Sequence, residues 1–349
     1  MSVDSDYSES GFGNPFTVTF LRNPLGFAQP DSRGRLSLGD SARLNSLRIL
    51  ISGASGLIGS ALIPALESRG SAVTRLVRAS ESRHGEIPWN PAQPLHSELV
   101  SGFHAVIHLA GEPVAARWTE AKKKRIRDSR VLGTAHLCEA LARTAQPPHV
   151  LISASAIGYY GNRGDEIVRE DSRSGAGFLP EVCREWEAAT KPAADAGIRT
   201  TQIRIGIVLA AQGGALKKML PPFRMGLGAQ IGNGRQWMSW IHVKDLVGAI
   251  LHLLDSDSVE GPVNLVAPEP VRNSEFTRTL AKVLSRPAIL RMPGFAARLI
   301  FGEMADEVLL AGQRVDPAKL AASGYEFRYR DLRSALENIL CKIPVNPCG

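Results

Sequence analysis

The sequence predicts an α/β fold in which a doubly wound parallel sheet is joined by a smaller lobe near the carboxyl terminus. Short apolar segments alternate with longer helical patterns from Ser46 onward, which is typical of parallel strands connected by helices. A glycine-rich turn connects the first strand to the first helix. The 349 residues, 44% hydrophobic and 21% charged, suit a globular chain of one large domain or two modest ones.

Five strands and four helices follow from apolar periodicity and turn residues. The predicted strands are RILIS (48–52), SAVTRLV (71–77), AVIHLA (105–110), HVLISAS (149–155) and RTTQIRIGIVL (199–209). The predicted helices cover residues 57–69, 119–144, 180–196 and 243–254. With strands from the remaining segments, they predict a sheet of about seven parallel strands.

These patterns divide the chain into three regions. Residues 1–46 are rich in Ser, Gly, Asp, Asn and Pro and are predicted to be a disordered extension, and their acidic start argues against a secretory signal. Residues 47–210 contain the predicted nucleotide-binding sheet. Residues 211–345 form mainly the smaller lobe, although helix 243–254 and a strand at 263–266 are expected to return to the sheet.

Composition and charge narrow the class of partner. The net charge is +7 and the pI is near 9.4, but the densest basic run, residues 122–125, lacks the interleaved aromatic residues of a nucleic-acid site. No apolar run approaches the roughly 20 residues of a membrane span. The four cysteines are scattered and show no metal-ligand spacing. We therefore expect a cytoplasmic protein with a small-molecule ligand and with no metal, nucleic-acid or membrane partner.

The first strand runs directly into GASGLIGSAL, whose glycines are Gly53, Gly56 and Gly59. The first permits a tight turn, the second lets a pyrophosphate approach the backbone, and the third lets the helix press against the strand. The start of the helix offers unpaired N–H groups to the phosphates. The pattern predicts a Rossmann-type dinucleotide site whose phosphate loop contains Gly53, Ser55, Gly56, Leu57, Ile58 and Gly59.

The end of the second strand indicates which dinucleotide binds. An NAD site places an acidic residue about 20 residues beyond the glycines, where it binds the ribose 2′-hydroxyl. This chain has Arg78 in that region, and Arg75 precedes it in the same strand. Because a guanidinium suits a 2′-phosphate, the sequence predicts NADP(H) in preference to NAD(H).

Several longer motifs carry a family resemblance. They are GASGLIG (53–59), HLAGEPV (108–114), SASAIGYYG (153–161), RIGIVL (204–209) and SWIHVKDL (239–246). With them the chain resembles the extended and atypical short-chain dehydrogenase/reductases, and within these the "epimerase family protein" branch, also labelled cell-division-inhibitor-like. The segments PVRNSEF (270–276), FGEMADEVLLAGQRVDPAKL (301–320) and SGYEFRYRDLRSALENIL (323–340) resemble that branch's C-terminal domain of unknown function, so the resemblance covers roughly residues 47–341.

The resemblance implies further site residues. The segment Leu109, Ala110 and Gly111 is expected near the adenine ribose and the pyrophosphate. Arg130 stands where relatives often have an asparagine near the cofactor or the active site. Ser153 and Ser155 end the fourth predicted strand, and of the two Ser155 is the better match to the superfamily's catalytic serine.

The superfamily's catalytic Tyr-x-x-x-Lys pair is absent from this chain. One helical turn puts the two side chains on one face, the lysine charge lowers the pKa of the tyrosine, and the phenol then exchanges a proton with the substrate. By resemblance the pair falls at Val182 and Trp186, or one residue later at Cys183 and Glu187. None of the tyrosines has a lysine four residues further on.

Three explanations remain open. Another group supplies the acid, with Tyr160 as the first candidate beside Ser155 and with Glu112 and His242 as weaker ones. Alternatively, the protein binds NADP(H) and a ligand without catalysis, or the cleft is vestigial and the surface carries the function. Candidate substrate contacts are Glu112, Trp186, Arg204, Gln236 and Trp240.

We therefore expect an NADP(H)-dependent oxidoreductase or epimerase-like enzyme with a non-standard catalytic acid, acting on a carbonyl or an alcohol. The alternative is a non-catalytic NADP(H)-binding regulator or scaffold, which the family label links to cell division. Both a monomer and a homodimer fit the sequence. Relatives often pair through helices such as 119–144 and 180–196, and the basic run in the first of these disfavours such pairing here.

Overall fold

The computed structural model describes residues 47–78 and 83–340. Residues 1–46, the predicted disordered extension, lie outside the described residues, and so do residues 341–345 at the end of the predicted smaller lobe. Two of the four cysteines, Cys138 and Cys183, lie in the described part of the chain, where both are free thiols and buried.

A seven-stranded sheet forms the centre of the described chain. Its strands are β1 (Arg48–Ser52), β2 (Ala72–Val77), β3 (Glu86–Pro88), β4 (Ala105–His108), β5 (Val150–Ala156), β7 (Arg199–Ile205) and β12 (Gly261–Leu265). Neighbouring strands are all parallel and follow the order β12-β7-β5-β4-β1-β2-β3. This arrangement confirms the predicted α/β class, and the strand order reverses beside β1, where doubly wound sheets bind ligands.

Helices cover both faces of this sheet. On one face α1 (Leu57–Ser68) and α6 (Val243–Asp255) pack against Ile49 and Ile51 of β1. On the other face α2 (Glu120–Arg143) and α4 (Lys191–Asp195) pack against Leu50. All three β1 side chains are fully buried, and burial of each contributes about 1.5–3 kcal/mol. A strand that is apolar on both faces, as RILIS is, is therefore stable only between two helical layers.

The remaining elements lie mostly in the carboxyl-terminal part of the chain. There Leu216, Phe223, Trp240, Phe276 and Leu336 form a second core. The other helices are α3 (Phe178–Ala188), α5 (Gly214–Arg224), α7 (Asn273–Val283), α8 (Gly294–Phe301), α9 (Ala318–Ala322) and α10 (Leu332–Leu340). The other strands, paired in twos, are β6 (Ile167–Val168), β8 (Ile207–Leu209), β9 (Ala229–Ile231), β10 (Trp237–Met238), β11 (Trp240–His242), β13 (Val271–Arg272), β14 (Leu290–Met292) and β15 (Arg314–Val315).

The segment predicted as one strand over 199–209 is two strands, β7 and β8, which is a correction to the sequence analysis. Gly206 separates them: a Cβ on this residue would lie 2.6 Å from the carbonyl oxygen of Ser239. The chain therefore passes close to another backbone at Gly206, leaves the central sheet and pairs β8 with β11. The residue is glycine because a side chain would close this gap.

The helix predicted over 180–196 is also divided, into α3 and α4. Pro192 has no N–H and cannot bond the carbonyl of Ala188, so the first helix ends before it. The break lies at Thr190, and before it α3 contacts β5 and places Glu187 beside Ser155 and Arg204.

Gly59→Ala is expected to destabilise the fold. An added Cβ would lie 2.4 Å from the carbonyl oxygen of Gly53 and 2.8 Å from Cα of Ala54, and neither backbone atom can rotate away. Overpacking of this kind costs about 1–3 kcal/mol, which urea unfolding would measure. Gly133→Ala in α2 is the control, since its nearest contact is a side-chain atom of Pro91 at 3.2 Å. Equal stability of Gly59→Ala and the wild-type protein would contradict the packing argument.

Candidate functional site

A cleft of about 1040 Å³ opens at the carboxyl ends of β1, β2 and β4. Its size is that of a site for a large ligand. The glycine turn between β1 and α1 forms its floor, the end of β2 forms one wall, and the loop after β4 forms the other. Of the predicted site residues it is lined by Gly53, Ser55, Gly56, Arg78, Leu109, Ala110, Gly111 and Glu112.

The three glycines of the turn have different surroundings. Gly53 has φ +72°, and a Cβ there would lie 2.6 Å from the carbonyl carbon of Leu109. Gly59 presses against the turn itself. Within 4 Å of a Cβ on Gly56, by contrast, the described part of the chain offers a single contact, the oxygen of Gly53 at 3.2 Å. The backbone at Gly56 is therefore open to the cleft, as a pyrophosphate requires.

Helix α1 begins directly at this turn. In the described structure no side chain caps its first turn, and no acidic residue lies in that turn. Its first N–H groups and the positive end of its dipole therefore face the cleft without an internal anion. Together with the space above Gly56, this start fits the diphosphate of a dinucleotide.

Ser52 and His108, which the sequence analysis missed, hold one wall of the cleft. Ser52 Oγ accepts hydrogen bonds from the N–H groups of Leu109 (3.2 Å) and Ala110 (3.3 Å) and lies 2.6 Å from His108 Nδ1. Because Ser52 Oγ already accepts two bonds, its hydroxyl donates to Nδ1, and Nε2–H then donates to Thr134 Oγ1 at 3.0 Å. Burial lowers the pKa of His108 to about 4, so the ring is neutral. The signal in the sequence was their position at the ends of two adjacent predicted strands.

Glu112, predicted as a substrate contact or a weak candidate acid, is engaged in an ion pair at the rim of the cleft. Lys122 Nζ donates to its carboxylate at 2.6 Å, and this bond lowers the pKa of Glu112, with Arg125 and Arg78 adding to the effect. At neutral pH Glu112 is thus a carboxylate. Arg78 is exposed at the end of β2 and lines the cleft, while Arg75 lies 3.6 Å from Glu67.

Ser155, Tyr160 and Arg204 belong to one buried network beside the cleft, together with Glu187. Ser155 Oγ donates to Glu187 Oε1 at 2.6 Å. Arg204 donates to both carboxylate oxygens of Glu187 at 2.8 Å and to the Tyr160 hydroxyl at 2.9 Å. Tyr160 in turn donates to Asn264 Oδ1 at 2.7 Å. The network joins β5, α3, β7 and β12 at the edge where ligands bind in this fold.

These contacts limit what each side chain can do. Tyr160 is fully buried, and burial raises the pKa of its phenol to about 12. Burial lowers the pKa of Arg204, but the bonds and charge of Glu187 outweigh this effect and raise it. The charge of Arg204 is therefore already neutralised by the Glu187 carboxylate. Ser155 is 2% exposed, and its hydroxyl proton is directed at Glu187.

Arg130 of α2 contacts Trp186 near the carboxyl end of α3. The Arg130 guanidinium lies 5.0 Å from the Trp186 ring, and its Nη1 donates to the carbonyls of Glu112 and Ile126. Trp186 Nε1 and Ser153 Oγ are buried without a hydrogen-bond partner among the described residues. Buried donors of this kind usually have a partner, which a bound ligand or a water would supply here.

The other predicted site residues pack inside the protein. Gln236 donates to the carbonyls of Ile231 and Leu309, and Trp240 is fully buried with its indole N–H on Glu269. His242 caps α6 by accepting the N–H of Lys244. The predicted site residues thus fall into three groups: those that line the open cleft, those in the buried network beside it, and those packed in the interior.

Within residues 47–78 and 83–340, no group of acidic, His and Cys side chains is arranged to hold a metal ion. The same residues contain no helix with the length and apolar character needed to cross a membrane.

The fold and the cleft are those of a dinucleotide-binding protein of the short-chain dehydrogenase/reductase type. The NAD dependent epimerase/dehydratase family matches residues 49–266, and a domain of unknown function, DUF1731, matches residues 292–339. The chain belongs to the NAD dependent epimerase/dehydratase family.

Named relatives share most of the chain. An epimerase family protein of Mycobacterium leprae is 43% identical over 290 residues, which is 82% of this chain and 94% of that protein. The human epimerase family protein SDR39U1 is 35% identical over 298 residues, 84% of this chain and 100% of that protein. A crystal structure of human SDR39U1 (isoform 2) with NADPH matches with a TM-score of 0.78 and covers 84% of this chain and 99% of that one.

The neutral His108 makes stability depend on pH. Its pKa is about 4 in the folded state, against 6.5 for an exposed histidine. Between these values the unfolded chain binds a proton that the folded chain does not, so the free energy of unfolding falls as the pH drops below about 6.5. The loss at pH 5 is about 2 kcal/mol and should be measurable by urea unfolding.

His108→Asn isolates this effect, because asparagine does not titrate. The variant is less stable at every pH, and its stability should fall less steeply between about pH 7 and pH 5. Some slope remains, since burial also lowers the pKa of His242 to about 4. The same slope in both proteins would show that His108 is not the titrating group.

Proposed function

We propose that the protein is an NADP(H)-dependent oxidoreductase or epimerase-like enzyme that acts on a carbonyl or alcohol group. The observation that carries the proposal is the cleft, whose floor is open at Gly56 and whose rim carries Arg78. The human relative crystallised with NADPH supports the choice of cofactor.

The cofactor would be held by backbone more than by side chains. The start of α1 would meet the diphosphate, the 109–111 segment the adenine ribose, and Arg78 the 2′-phosphate. Arg78 suits that role because no acidic side chain lies within ion-pair distance of it among the described residues. When bound, the nicotinamide supplies or accepts a hydride.

Arg78→Ala should weaken NADPH binding and leave NADH binding nearly unchanged. Loss of one charge-assisted contact to the 2′-phosphate corresponds to roughly a tenfold to hundredfold loss of affinity. Quenching of tryptophan fluorescence during titration with each nucleotide measures both affinities. Arg75→Ala is a matched control, since its guanidinium faces Glu67 at 3.6 Å. Equal weakening for NADPH and NADH would contradict the 2′-phosphate role.

For proton transfer we infer that Ser155 and Glu187 replace the missing tyrosine and lysine. Ser155 already donates its proton to Glu187, so a ligand hydroxyl can meet the serine oxygen only as a donor. As that ligand proton moves to Ser155 Oγ, the serine proton moves to Glu187 Oε1, 2.6 Å away. Arg204 holds the carboxylate in place through two bonds. In the reverse direction Glu187 returns the proton.

Tyr160, the first candidate from the sequence, has a different place in this proposal. Its hydroxyl is bonded to Asn264 and Arg204 inside the protein, and its raised pKa makes it a poor proton donor. We propose that it positions Arg204, on whose guanidinium the orientation of Glu187 depends. Its phenol therefore acts on the site only through the ion pair.

Ser155→Ala should lower turnover by at least about a hundredfold without changing NADPH affinity, since it removes the proton relay and leaves the cleft intact. NADPH oxidation over a panel of aldehydes and ketones measures turnover, and fluorescence titration measures binding. Glu187→Gln should cause a similar loss, and Tyr160→Phe a smaller one. A larger loss in Tyr160→Phe than in Ser155→Ala would return the acid role to the tyrosine.

A second candidate function, an NADP(H)-binding regulator, is favoured by the burial of the network. Ser155 is 2% exposed and Tyr160 is fully buried, and neither is among the residues that line the cleft. Tight NADPH binding by the wild-type protein, with no oxidation of NADPH by any member of the panel, would favour this function over the enzyme.

A further inference from the structure

An exposed apolar surface lies in the carboxyl-terminal part of the chain, away from the glycine turn. Ile289 is 84% exposed, Leu299 76%, Phe295 71% and Met225 67%. Most of the large exposed apolar side chains of the described residues belong to this surface, and contiguous exposure of this kind marks an interaction site. We define the apolar-basic surface as Met225, Leu227, Ile289, Leu290, Phe295, Leu299 and Ile300, with the arginines described below.

The members of this surface come from two segments that meet in space. Strand β14 pairs with β9, and a Cβ on Gly226 would lie 3.3 Å from the side chain of Pro287. Met225 and Leu227 therefore lie beside the segment that leads into Ile289. Helix α8 follows β14 directly and has one fully buried residue, Ala297, while Phe295, Leu299 and Ile300 project outward.

The segments that form this surface carry more cations than anions, although Glu303, Asp306 and Glu307 follow α8. Residues 210–244 and 276–302 contain no aspartate or glutamate, and each stretch contains five lysines and arginines. Arg291, which is exposed in β14, has no ion-pair partner among the described residues. Arg298 pairs with Asp306 at 2.8 Å but keeps 56% of its side chain exposed. The surface thus combines projecting apolar groups with an excess of positive charge.

The charge decides between possible occupants. In a symmetric pair of chains the same arginines would face one another across the interface, which is unfavourable. An anionic bilayer avoids this repulsion, because its headgroups neutralise the arginines. Its acyl boundary also accepts Phe, Leu and Ile side chains. The side chains stand 67–84% exposed instead of lining a groove, as insertion into a lipid surface requires.

We propose that the apolar-basic surface docks the protein on the surface of an anionic lipid bilayer. This differs from the expectation of no membrane partner, which rested on the lack of a spanning segment; peripheral docking needs none. At one end of the surface Arg117, in the loop that precedes α2, donates to the carbonyl of Leu299 at 3.3 Å. The proposal does not depend on the cofactor or the reaction.

Sedimentation of the full chain with vesicles tests the proposal. Vesicles of phosphatidylglycerol and phosphatidylcholine should bind the protein at low salt, and vesicles of phosphatidylcholine alone should bind it far less. The double variant Phe295→Ser/Leu299→Ser should lower partitioning at least about tenfold. Arg291→Glu should weaken binding to the anionic vesicles while leaving every apolar side chain in place.

The control applies the same chemical change elsewhere. Leu132 and Ile167 are 40% and 49% exposed and lie outside the surface, so Leu132→Ser/Ile167→Ser should bind vesicles like the wild-type protein. Thermal unfolding verifies that each variant folds. The proposal is overturned if the protein does not bind the anionic vesicles, if the two double variants behave alike, or if sedimentation velocity shows a dimer that Phe295→Ser/Leu299→Ser abolishes.

Discussion

The buried network beside the cleft depends on the ion pair between Glu187 and Arg204. Arg204 is buried and Glu187 is partly buried, with 3% and 14% of their side chains exposed, and a guanidinium without a partner at this depth would destabilise the fold by about 3–5 kcal/mol. The pair fixes α3 across the ends of β5 and β7, and through Tyr160 it also reaches Asn264 in β12. Glu187 lies one helical residue beyond the place where relatives of this type are expected to have a lysine. The chain thus has a carboxylate bonded within the protein next to the position where that lysine is expected, and the proposed proton relay uses this carboxylate.

The cleft at the carboxyl ends of β1, β2 and β4 is held in place by other contacts. The glycine turn and the segment after β4 are held by backbone contacts and by the neutral Ser52–His108–Thr134 chain, which leaves the backbone at Gly56 open to the cleft. Buried donors without described partners, Trp186 Nε1 and Ser153 Oγ, lie on the other side, in and beside α3. A ligand that reached from the cleft to the network would bind the open backbone at Gly56 with one end. Its other end would meet the side chains of Ser155 and Glu187, which are already hydrogen-bonded. Such a division would suit a protein in which the fold binds the dinucleotide and in which, on the proposed mechanism, Ser155 exchanges its hydrogen-bond partner.

The sequence was sufficient for the sheet, because period and turn chemistry are local properties. RILIS and the glycines after it were enough to predict a strand, a turn and a helix. The break at Gly206 could not be predicted, since it arises from Ser239 and Val266, which the fold brings close. The role of Glu187 was missed for the same reason. Its neighbours in the sequence give a helix, but its partner lies 17 residues away in a strand whose register against α3 is a tertiary property. His108 likewise has the pattern of an ordinary strand end until Ser52 is placed beside it.

The structure shows which of the excess cations in the sequence are paired with carboxylates and which are not. The basic run at the start of α2 accounts for the densest charge in the sequence, yet Lys122, Lys123 and Lys124 each face a carboxylate. Charge that is paired in this way contributes little to long-range attraction. The net charge of +7 must therefore be expressed by cations without close acidic partners. Among the described residues these include Arg78 at the cleft and Arg291 beside α8. On the two proposals, Arg78 would face the 2′-phosphate in the cleft, and Arg291 would face the phosphates of a bilayer surface. Added salt would weaken the two kinds of binding to different extents, because exposed arginines on a flat surface are screened first.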